Sequence, residues 1–129
     1  MRIEHIGLWV NDLELMREFY VRCFGGRSGN LYRNPKTGFE SYFVTFEDGA
    51  RLELMRRPDV CENQTQPTVP KPGDAHIAFS VGSEHNVDEF TRKLSMDGYR
   101  SIDGPRRTGD GYYECVFLDP EGNRVEITV

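Results

Sequence analysis

Ile3-Glu4-His5-Ile6-Gly7-Leu8-Trp9-Val10 is a strand-like run, and Ala75-His76-Ile77-Ala78-Phe79-Ser80-Val81 repeats its pattern in the second half of the chain. The two histidines, His5 and His76, are 71 residues apart. A repeat at this spacing indicates two copies of one structural unit, so matching features are expected after each run.

A helix signal follows each of the two strands. In the first half Asn11 is the predicted N-cap, with Glu14 three residues later, and Gly25-Gly26 ends the pattern. In the second half Ser83 is the predicted N-cap and Gly98 ends the pattern. Apolar residues recur at helical spacing between these limits, at Leu13, Met16, Tyr20 and Cys23 in the first helix and at Val87, Phe90 and Leu94 in the second.

Three strands are predicted after each helix. Their ranges are about 27–33, 39–47 and 50–56 in the first half, and about 99–106, 112–118 and 123–128 in the second, with turns at 47–49 and 119–122. The pattern predicts two tandem βαβββ modules, at about 1–57 and 74–129, joined by a proline-rich linker at about 58–73. Since neither half offers much core alone, we expect the modules to form a single domain, 1–129.

Strand alternation separates apolar residues from four polar ones. The residues predicted to face the core are Ile6, Leu8, Val10, Leu52, Leu54, Ile77, Phe79, Val81, Val125, Ile127 and Val129. The opposite face carries His5, Glu53, His76 and Glu126. Singly, each of these four is typical of an exposed sheet surface, but the same chemistry recurs at matched positions in both halves. The set therefore predicts a site for one divalent ion, for which Zn, Ni, Co, Mn and Fe(II) all suit His and carboxylate ligands.

The composition predicts a soluble, cytoplasmic globular protein. Hydrophobic residues make up 37% and charged residues 29%, and no apolar run approaches the length of a membrane span or a signal-peptide core. The net charge of −5 argues against nucleic-acid and anionic-membrane partners. The basic pairs Arg56-Arg57 and Arg106-Arg107 could meet an anionic ligand, although solvated strand ends are the simpler interpretation.

The remaining candidate nucleophiles and ligands are few. Cys23, Cys61 and Cys115 are widely spaced and form no CxxC motif, and we expect Cys23 and Cys115 to be reduced core thiols. His85 falls in the first turn of the second helix, where we expect it to be exposed. No serine, cysteine or lysine can be matched with an activating partner, which disfavours a covalent mechanism.

Three segments resemble the vicinal oxygen chelate superfamily, which contains glyoxalase I, bleomycin-resistance proteins and extradiol dioxygenases. They are His5-Ile6-Gly7, the stretch Gly73-Asp74-Ala75-His76-Ile77-Ala78-Phe79-Ser80-Val81, and the closing hairpin Phe117-Leu118-Asp119-Pro120-Glu121-Gly122-Asn123-Arg124-Val125-Glu126. The resemblance implies an α+β fold in which paired βαβββ modules form a cupped mixed sheet, with helices on its outer face, around a metal that binds a small substrate through vicinal oxygens. It also implies a homodimer, with the modules paired within one chain or between two.

Within that family the set His5, Glu53, His76 and Glu126 looks like the glyoxalase I pattern. The resemblance implies a metal-dependent lyase or isomerase related to lactoylglutathione lyase, in which the ion polarises a carbonyl and Glu53 or Glu126 moves a proton. Leu54-Met55-Arg56-Arg57-Pro58 does not match the residues that hold glutathione in glyoxalase I, so the substrate stays open.

Two other functions remain open. An extradiol-type dioxygenase needs two histidines and one carboxylate with open positions for oxygen, and Glu53 would occupy one of those positions. A metal-free, drug-binding protein of the bleomycin-resistance type needs an apolar cleft, which Trp9, Phe43 and Tyr113 could line, although core or edge packing is the simpler interpretation for each.

Overall fold

The computed structural model describes residues 3–60, 75–109 and 111–129. These residues gather into two compact units, 3–60 in one and 75–109 with 111–129 in the other. Each unit is a βαβββ-like module with its own mixed sheet and one helix, so the predicted α+β class and its two modules are confirmed. The predicted linker lies largely outside the described residues, as does Cys61.

Module one contains one helix and five strands. They are β1 (His5–Trp9), α1 (Leu13–Phe24), β2 (Arg27–Ser28), β3 (Tyr32–Asn34), β4 (Phe39–Thr45) and β5 (Arg51–Arg56). The strand order is β1-β5-β4-β2, with β3 also paired to β4. Strands β1 and β5 are parallel and the other pairs are antiparallel. The helix connects β1 to β2, which lies at the other end of this strand order. The last strand of the module, β5, lies beside β1.

Module two repeats this topology. Its elements are β6 (His76–Ser80), α2 (Glu84–Met96), β7 (Ser101–Arg107), β8 (Tyr113–Leu118) and β9 (Arg124–Thr128), in the order β6-β9-β8-β7. Strands β6 and β9 are parallel, as β1 and β5 are. The repeat detected in the sequence is therefore a repeat of topology as well as of pattern.

Local signals at the helix ends explain where the helices begin and end. The predicted cap Asn11 is wrong: Asp12 caps α1, and its Oδ1 accepts a 2.9 Å hydrogen bond from the backbone N–H of Leu15. The Asp12 carboxylate supplies the same acceptor as an asparagine, with a negative charge that also suits a helix N-terminus. Ser83 caps α2 as predicted, and Gly25 ends α1 in the left-handed conformation at φ 67°.

Each helix buries one apolar face on its sheet. In module one the buried helix residues are Leu13, Met16, Phe19, Tyr20 and Cys23, which pack on the face that holds Val44, Leu52 and Leu54. In module two Val87 and Leu94 pack on the face that holds Cys115, Phe117, Val125 and Ile127. Burying each large side chain of this kind contributes roughly 1.5–3 kcal/mol, which makes these faces the main stabilising contacts of the modules.

A matching tyrosine joins the helix to the sheet in each module. The Tyr42 hydroxyl donates a 2.6 Å hydrogen bond to Glu14 Oε1, and the Tyr113 hydroxyl donates a 2.8 Å bond to Asp88 Oδ1. The bond from Tyr42 holds the pKa of Glu14 below its ordinary value, and the carboxylate acceptors raise the pKa of both tyrosines. The two sheets are thus held to their helices by equivalent polar contacts.

Three expectations from the sequence differ from the structure. The predicted strand 27–33 is divided into β2 and β3. Gly29 still donates a 2.9 Å backbone hydrogen bond to the Phe43 carbonyl, but Gly29 and Asn30 are poor strand formers and regular pairing stops there. Ile6 is 44% exposed, since β1 is an edge strand and α1 packs on β5, β4 and β2 instead. Val129 is 42% exposed because it lies beyond the end of β9. Neither helix in the described part of the chain has the length and apolar character needed to cross a membrane.

Candidate metal centre

On the face turned away from its helix, each sheet carries a histidine and a glutamate at matched positions. In module one the register pairs Ile6 with Leu52 and Gly7 with Glu53. Leu52 is buried under α1, so Glu53 and its cross-strand neighbours, Gly7 and Phe43, lie on the opposite face. The equivalent register in module two pairs Ile77 with Val125 and Ala78 with Glu126.

His5 and Glu53 approach each other in module one. His5 Nε2 lies 3.7 Å from Glu53 Oε2, and the Glu53 side chain is only 15% exposed. The other ring nitrogen, His5 Nδ1, is 2.6 Å from Glu4 Oε2, which leaves Nε2 directed at Glu53. The edge of the imidazole also meets the Phe43 ring, with centroids 5.5 Å apart and the planes at 89°.

Glu4 is a functional candidate that the strand pattern missed. It immediately precedes β1, so alternation along the strand assigns it no place beside His5. In the structure it contacts both His5 and the guanidinium of Arg51. The hydrogen bond with His5, reinforced by Arg51, holds the pKa of Glu4 below its ordinary value and so keeps it an anion that orients the ring.

Module two repeats the pair with His76 and Glu126. His76 Nε2 lies 3.5 Å from Glu126 Oε2, and the two side chains are 55% and 17% exposed. The two modules therefore place the same two donor groups at almost the same separation, each histidine half exposed and each glutamate largely covered.

The donor spacing fits a shared divalent ion. Separations of 3.7 and 3.5 Å are longer than a good N–H···O hydrogen bond, so the pairs are not satisfied by each other. Two ligands bound tetrahedrally at about 2.1 Å from one ion would stand about 3.4 Å apart. Each pair thus supplies two ligands at a suitable spacing. No group of three or more His, Cys, Asp or Glu side chains in the described ranges is arranged to hold a metal ion.

The other sequence candidates differ in where they lie relative to these pairs. His85 is exposed on α2, and Cys23 and Cys115 are buried thiols, as predicted. Trp9 and Phe43 share the face of His5 and Glu53, with the side chain of Trp9 42% exposed. Tyr113 does not belong with them, because its hydroxyl is bonded to Asp88 on α2 and its side chain lies on the helix side of its sheet.

Each arginine of the two basic pairs, Arg56-Arg57 and Arg106-Arg107, contacts a carboxylate. Arg56 lies 3.6 Å from Glu40, and Arg57 lies 2.5 Å from Asp59. In module two Arg106 bonds both oxygens of Asp103, and Arg107 contacts Glu84. Each guanidinium therefore has an acidic partner, which agrees with the interpretation of these residues as solvated strand ends.

Comparison with known proteins places these features in a family. The family model described as Glyoxalase/Bleomycin resistance protein/Dioxygenase superfamily matches residues 2–127. An uncharacterized Bacillus subtilis protein, YqjT, is 26% identical over 132 residues, which cover 97% of this chain and 96% of that protein.

Solved structures show the same fold. A possible glyoxalase from Bacillus cereus is 26% identical, with a TM-score of 0.71 over 100% of this chain and 99% of its own. The trypanothione-dependent glyoxalase I of Leishmania major, at 19% identity, aligns over 98% of this chain and 85% of its own with a TM-score of 0.77. At that identity the likeness is one of fold.

Proposed function

The chain belongs to the glyoxalase/bleomycin resistance protein/dioxygenase superfamily, and from this premise we propose that it is a divalent-metal-dependent lyase or isomerase of the glyoxalase type. The observation that carries the proposal is the matched pair of contacts, His5 with Glu53 and His76 with Glu126. A sheet surface with no function has no reason to repeat the same two donor groups at the same spacing in both modules.

The four side chains would together hold one ion of Zn, Ni, Co, Mn or Fe(II). When bound, that ion supplies Lewis acidity to a carbonyl oxygen of the substrate. Glu4 orients the His5 ring through Nδ1, so that Nε2 stays directed toward the site. A small molecule with vicinal oxygens is the substrate class that such a centre would take.

The protein's own part in the reaction is the movement of one proton. Glu53 and Glu126 are the two candidates for the base, and both are largely covered, which strengthens their interactions with a bound substrate. The base takes a proton from the carbon next to the carbonyl, so that a C–H bond breaks and a carboxylic acid O–H forms. It then returns the proton to the neighbouring carbon or to the same carbon, and no oxidant is consumed.

The test follows the proton. Hemithioacetals of methylglyoxal with small thiols are the first substrates to try, and 2-substituted acyl thioesters are the next. In D₂O we expect deuterium at the substrate carbon by NMR, and loss of that exchange after treatment with a chelator. Oxygen consumption without any proton exchange would contradict the proposal and favour an extradiol-type dioxygenase.

One observation favours a second function, metal-free binding of an apolar drug. Trp9, Phe39 and Tyr32 form an aromatic cluster on the same face of the sheet as His5 and Glu53, with the Trp9–Phe39 and Tyr32–Phe39 ring centroids 6.0 and 6.1 Å apart and with Trp9 and Tyr32 substantially exposed. Metal analysis of the protein purified without added metal separates the two functions. One equivalent of metal supports the enzyme, whereas metal-free protein that binds a drug without turnover supports sequestration.

A further inference from the structure

Arg51 contacts two neighbours of His5 at once. It lies beside His5 in the parallel register of β1 and β5. Its guanidinium contacts a carboxylate oxygen of Glu4, and its backbone N–H donates a 3.0 Å hydrogen bond to the Glu4 carbonyl. Its guanidinium carbon also lies 4.0 Å from the centroid of the Phe43 ring. One side chain therefore holds Glu4 through charge and packs over the face of Phe43.

Glu4 and Phe43 in turn contact different parts of the His5 ring. Glu4 Oε2 is 2.6 Å from Nδ1, and the edge of the imidazole meets the Phe43 ring with centroids 5.5 Å apart. The contacts form a closed loop from Arg51 through Glu4, His5 and Phe43 back to Arg51, and we call these four residues the His5 cluster. Side chains that are held on several sides keep one orientation, which is how supporting residues fix the geometry of a site.

The contact with Glu4 also fixes the position of the proton on the His5 ring. An ionised carboxylate only accepts hydrogen bonds, so Nδ1 carries a proton and donates a hydrogen bond to Glu4. In the neutral ring Nε2 then keeps its lone pair, and Nε2 is the atom that lies 3.7 Å from Glu53. A histidine binds a metal ion through such a lone pair, so the cluster holds His5 in the form that a metal needs.

Module two keeps the arginine but lacks the rest of the cluster. Arg124 lies beside His76 in the register of β6 and β9. The residue before His76 is Ala75, and the neighbour of Glu126 on β8 is Val116. Neither has the carboxylate or the aromatic ring that the equivalent residue of module one supplies. Arg124 therefore cannot support its histidine through the same contacts.

We propose that Arg51 is a positioning residue of the candidate centre, which fixes the His5 ring with Nε2 unprotonated before a metal ion binds. The inference rests on the proposed function, because it treats His5 as a metal ligand. Arg51 acts through Glu4 and Phe43 and is not itself a ligand. The half of the centre in module one is thus preformed, which lowers the cost of ordering it when the ion binds.

Charge alone predicts the opposite effect of Arg51 on metal binding. Arg51 is a cation close to a site for a divalent cation, so its removal would relieve repulsion and leave the charge of Glu4 less compensated. Both changes tighten metal binding. Loss of positioning weakens metal binding, because the ion must then order the His5 ring. The sign of the change in affinity therefore separates the two roles.

The first test compares Arg51→Met with Arg124→Met in the full chain. Each variant removes one guanidinium from the same register position beside a candidate histidine and keeps a long, unbranched side chain. The affinity for Zn²⁺ would be measured by competition with a chelating dye. We expect Arg51→Met to weaken Zn²⁺ binding about tenfold, and Arg124→Met to leave it unchanged or tighter. Glu4→Gln combined with Arg51→Met should bind Zn²⁺ nearly as Glu4→Gln does alone, because the two residues act together.

The second test observes the His5 ring in the metal-free protein. Long-range proton–nitrogen NMR spectra show which ring nitrogen carries the proton, and at about pH 8.5 an ordinary imidazole is neutral. The chain has three histidines, so the spectrum of His5→Ala assigns the His5 signals. We expect His5 to have its proton on Nδ1 in the unmodified protein. In Arg51→Met the proton should be shared between the two nitrogens, with the His76 signals unchanged.

The outcomes separate this inference from the proposed function. If Arg51→Met binds Zn²⁺ at least as tightly as the unmodified protein, or weakens it no more than Arg124→Met does, Arg51 is not a positioning residue and the metal centre stands. An unchanged His5 proton position in Arg51→Met leads to the same conclusion. If the unmodified protein binds no Zn²⁺, the metal centre itself fails, and the role of Arg51 fails with it.

Discussion

His5 reaches diagonally across two parallel strands to Glu53, with 3.7 Å between Nε2 and Oε2, because the residue directly beside Glu53 in the register is Gly7. Ala78 takes the same place beside Glu126. The Met55 side chain lies over Gly7, where a Cβ would come within 2.7 Å of its Cε, so this position favours a glycine. The repeat preserves a small residue beside each glutamate as well as the two donors themselves.

Removal of any one of the four donors should remove the metal. His5→Ala, Glu53→Ala, His76→Ala and Glu126→Ala should each weaken metal binding by about 100-fold or more, because a four-ligand site loses a ligand. The measurement is metal content by mass spectrometry after dialysis. His85→Ala is the matched control, since His85 is exposed on α2 and should leave metal content unchanged. Full occupancy in all four variants would mean that the site lies elsewhere.

Glu4 should tune the metal affinity without being a ligand. Glu4→Gln removes the anion that holds His5 Nδ1 at 2.6 Å, and loss of such an orienting partner costs about 10–100-fold in metal affinity. Competition with a chelating dye measures the change. Glu47→Gln removes a carboxylate from an exposed turn of the same module and should have no effect. Equal behaviour of the two variants would show that Glu4 does not act through His5.

The features predicted correctly from the sequence depend on near neighbours along the chain. Ser83 and Gly25 carry their own cap signals, and alternation alone assigns Glu53 to the face opposite Leu52. The exposure of Ile6 was not predictable in the same way, because it follows from the position of β1 at an edge, which depends on strand order. The contact of Glu4 with His5 is likewise set by the turn of the chain before β1 rather than by alternation.

The bond between Tyr42 and Glu14 should give the stability of the protein a dependence on acid. Because the hydrogen bond lowers the pKa of Glu14 below the ordinary 4.5, its contribution is complete above that pH and is lost as the pH falls through the lowered value. The Glu14 side chain is 60% exposed, so solvent screening limits the effect to about 0.5 kcal/mol or less. Glu14→Gln should reduce the pH dependence of the free energy of unfolding between about pH 5 and 3, as measured in urea titrations.

Two further variants check that assignment. Tyr42→Phe should reduce this pH dependence in part, because it removes the main cause of the lowered Glu14 pKa but leaves Arg17 beside Glu14. Glu18→Gln, whose carboxylate contacts Arg22 on the exposed side of α1, serves as the charge-matched control. If the pH dependence of the free energy of unfolding is unchanged in both Glu14→Gln and Tyr42→Phe, the bond between Tyr42 and Glu14 does not contribute to it.

We expect the protein to be a homodimer. Ile6 and Trp9 are 44% and 42% exposed on opposite faces of the edge strand β1, and Ile3, which precedes this strand, is 70% exposed. Exposed apolar side chains at a sheet edge promote association. Sedimentation at micromolar concentration should give about twice the 14.9 kDa of one chain, and a single monomeric species would refute the expectation.

Complementation shows whether the modules pair within a chain or between chains. The linker of roughly 15 residues is long enough for either arrangement. If they pair between chains, co-refolding His5→Ala with His76→Ala yields a mixed dimer with one intact site and one empty site. If they pair within a chain, every site in the mixture lacks a ligand. Recovered metal therefore indicates pairing between chains, and no recovery indicates pairing within one.

The buried hydroxyl of Thr128, which has no hydrogen-bond partner among the described residues, should lower the stability of the protein. An unpartnered buried hydroxyl costs about 1–3 kcal/mol, and Thr128→Val replaces it with a methyl group of similar shape. We therefore expect Thr128→Val to raise the free energy of unfolding of the metal-free protein by about 1 kcal/mol or more in urea titrations. Thr91→Val is the control, because the Thr91 hydroxyl donates a 2.8 Å hydrogen bond to the Val87 carbonyl and its loss should bring no gain. A Thr128→Val protein that is less stable than the unmodified chain would mean that the hydroxyl has a hydrogen-bond partner in the folded protein.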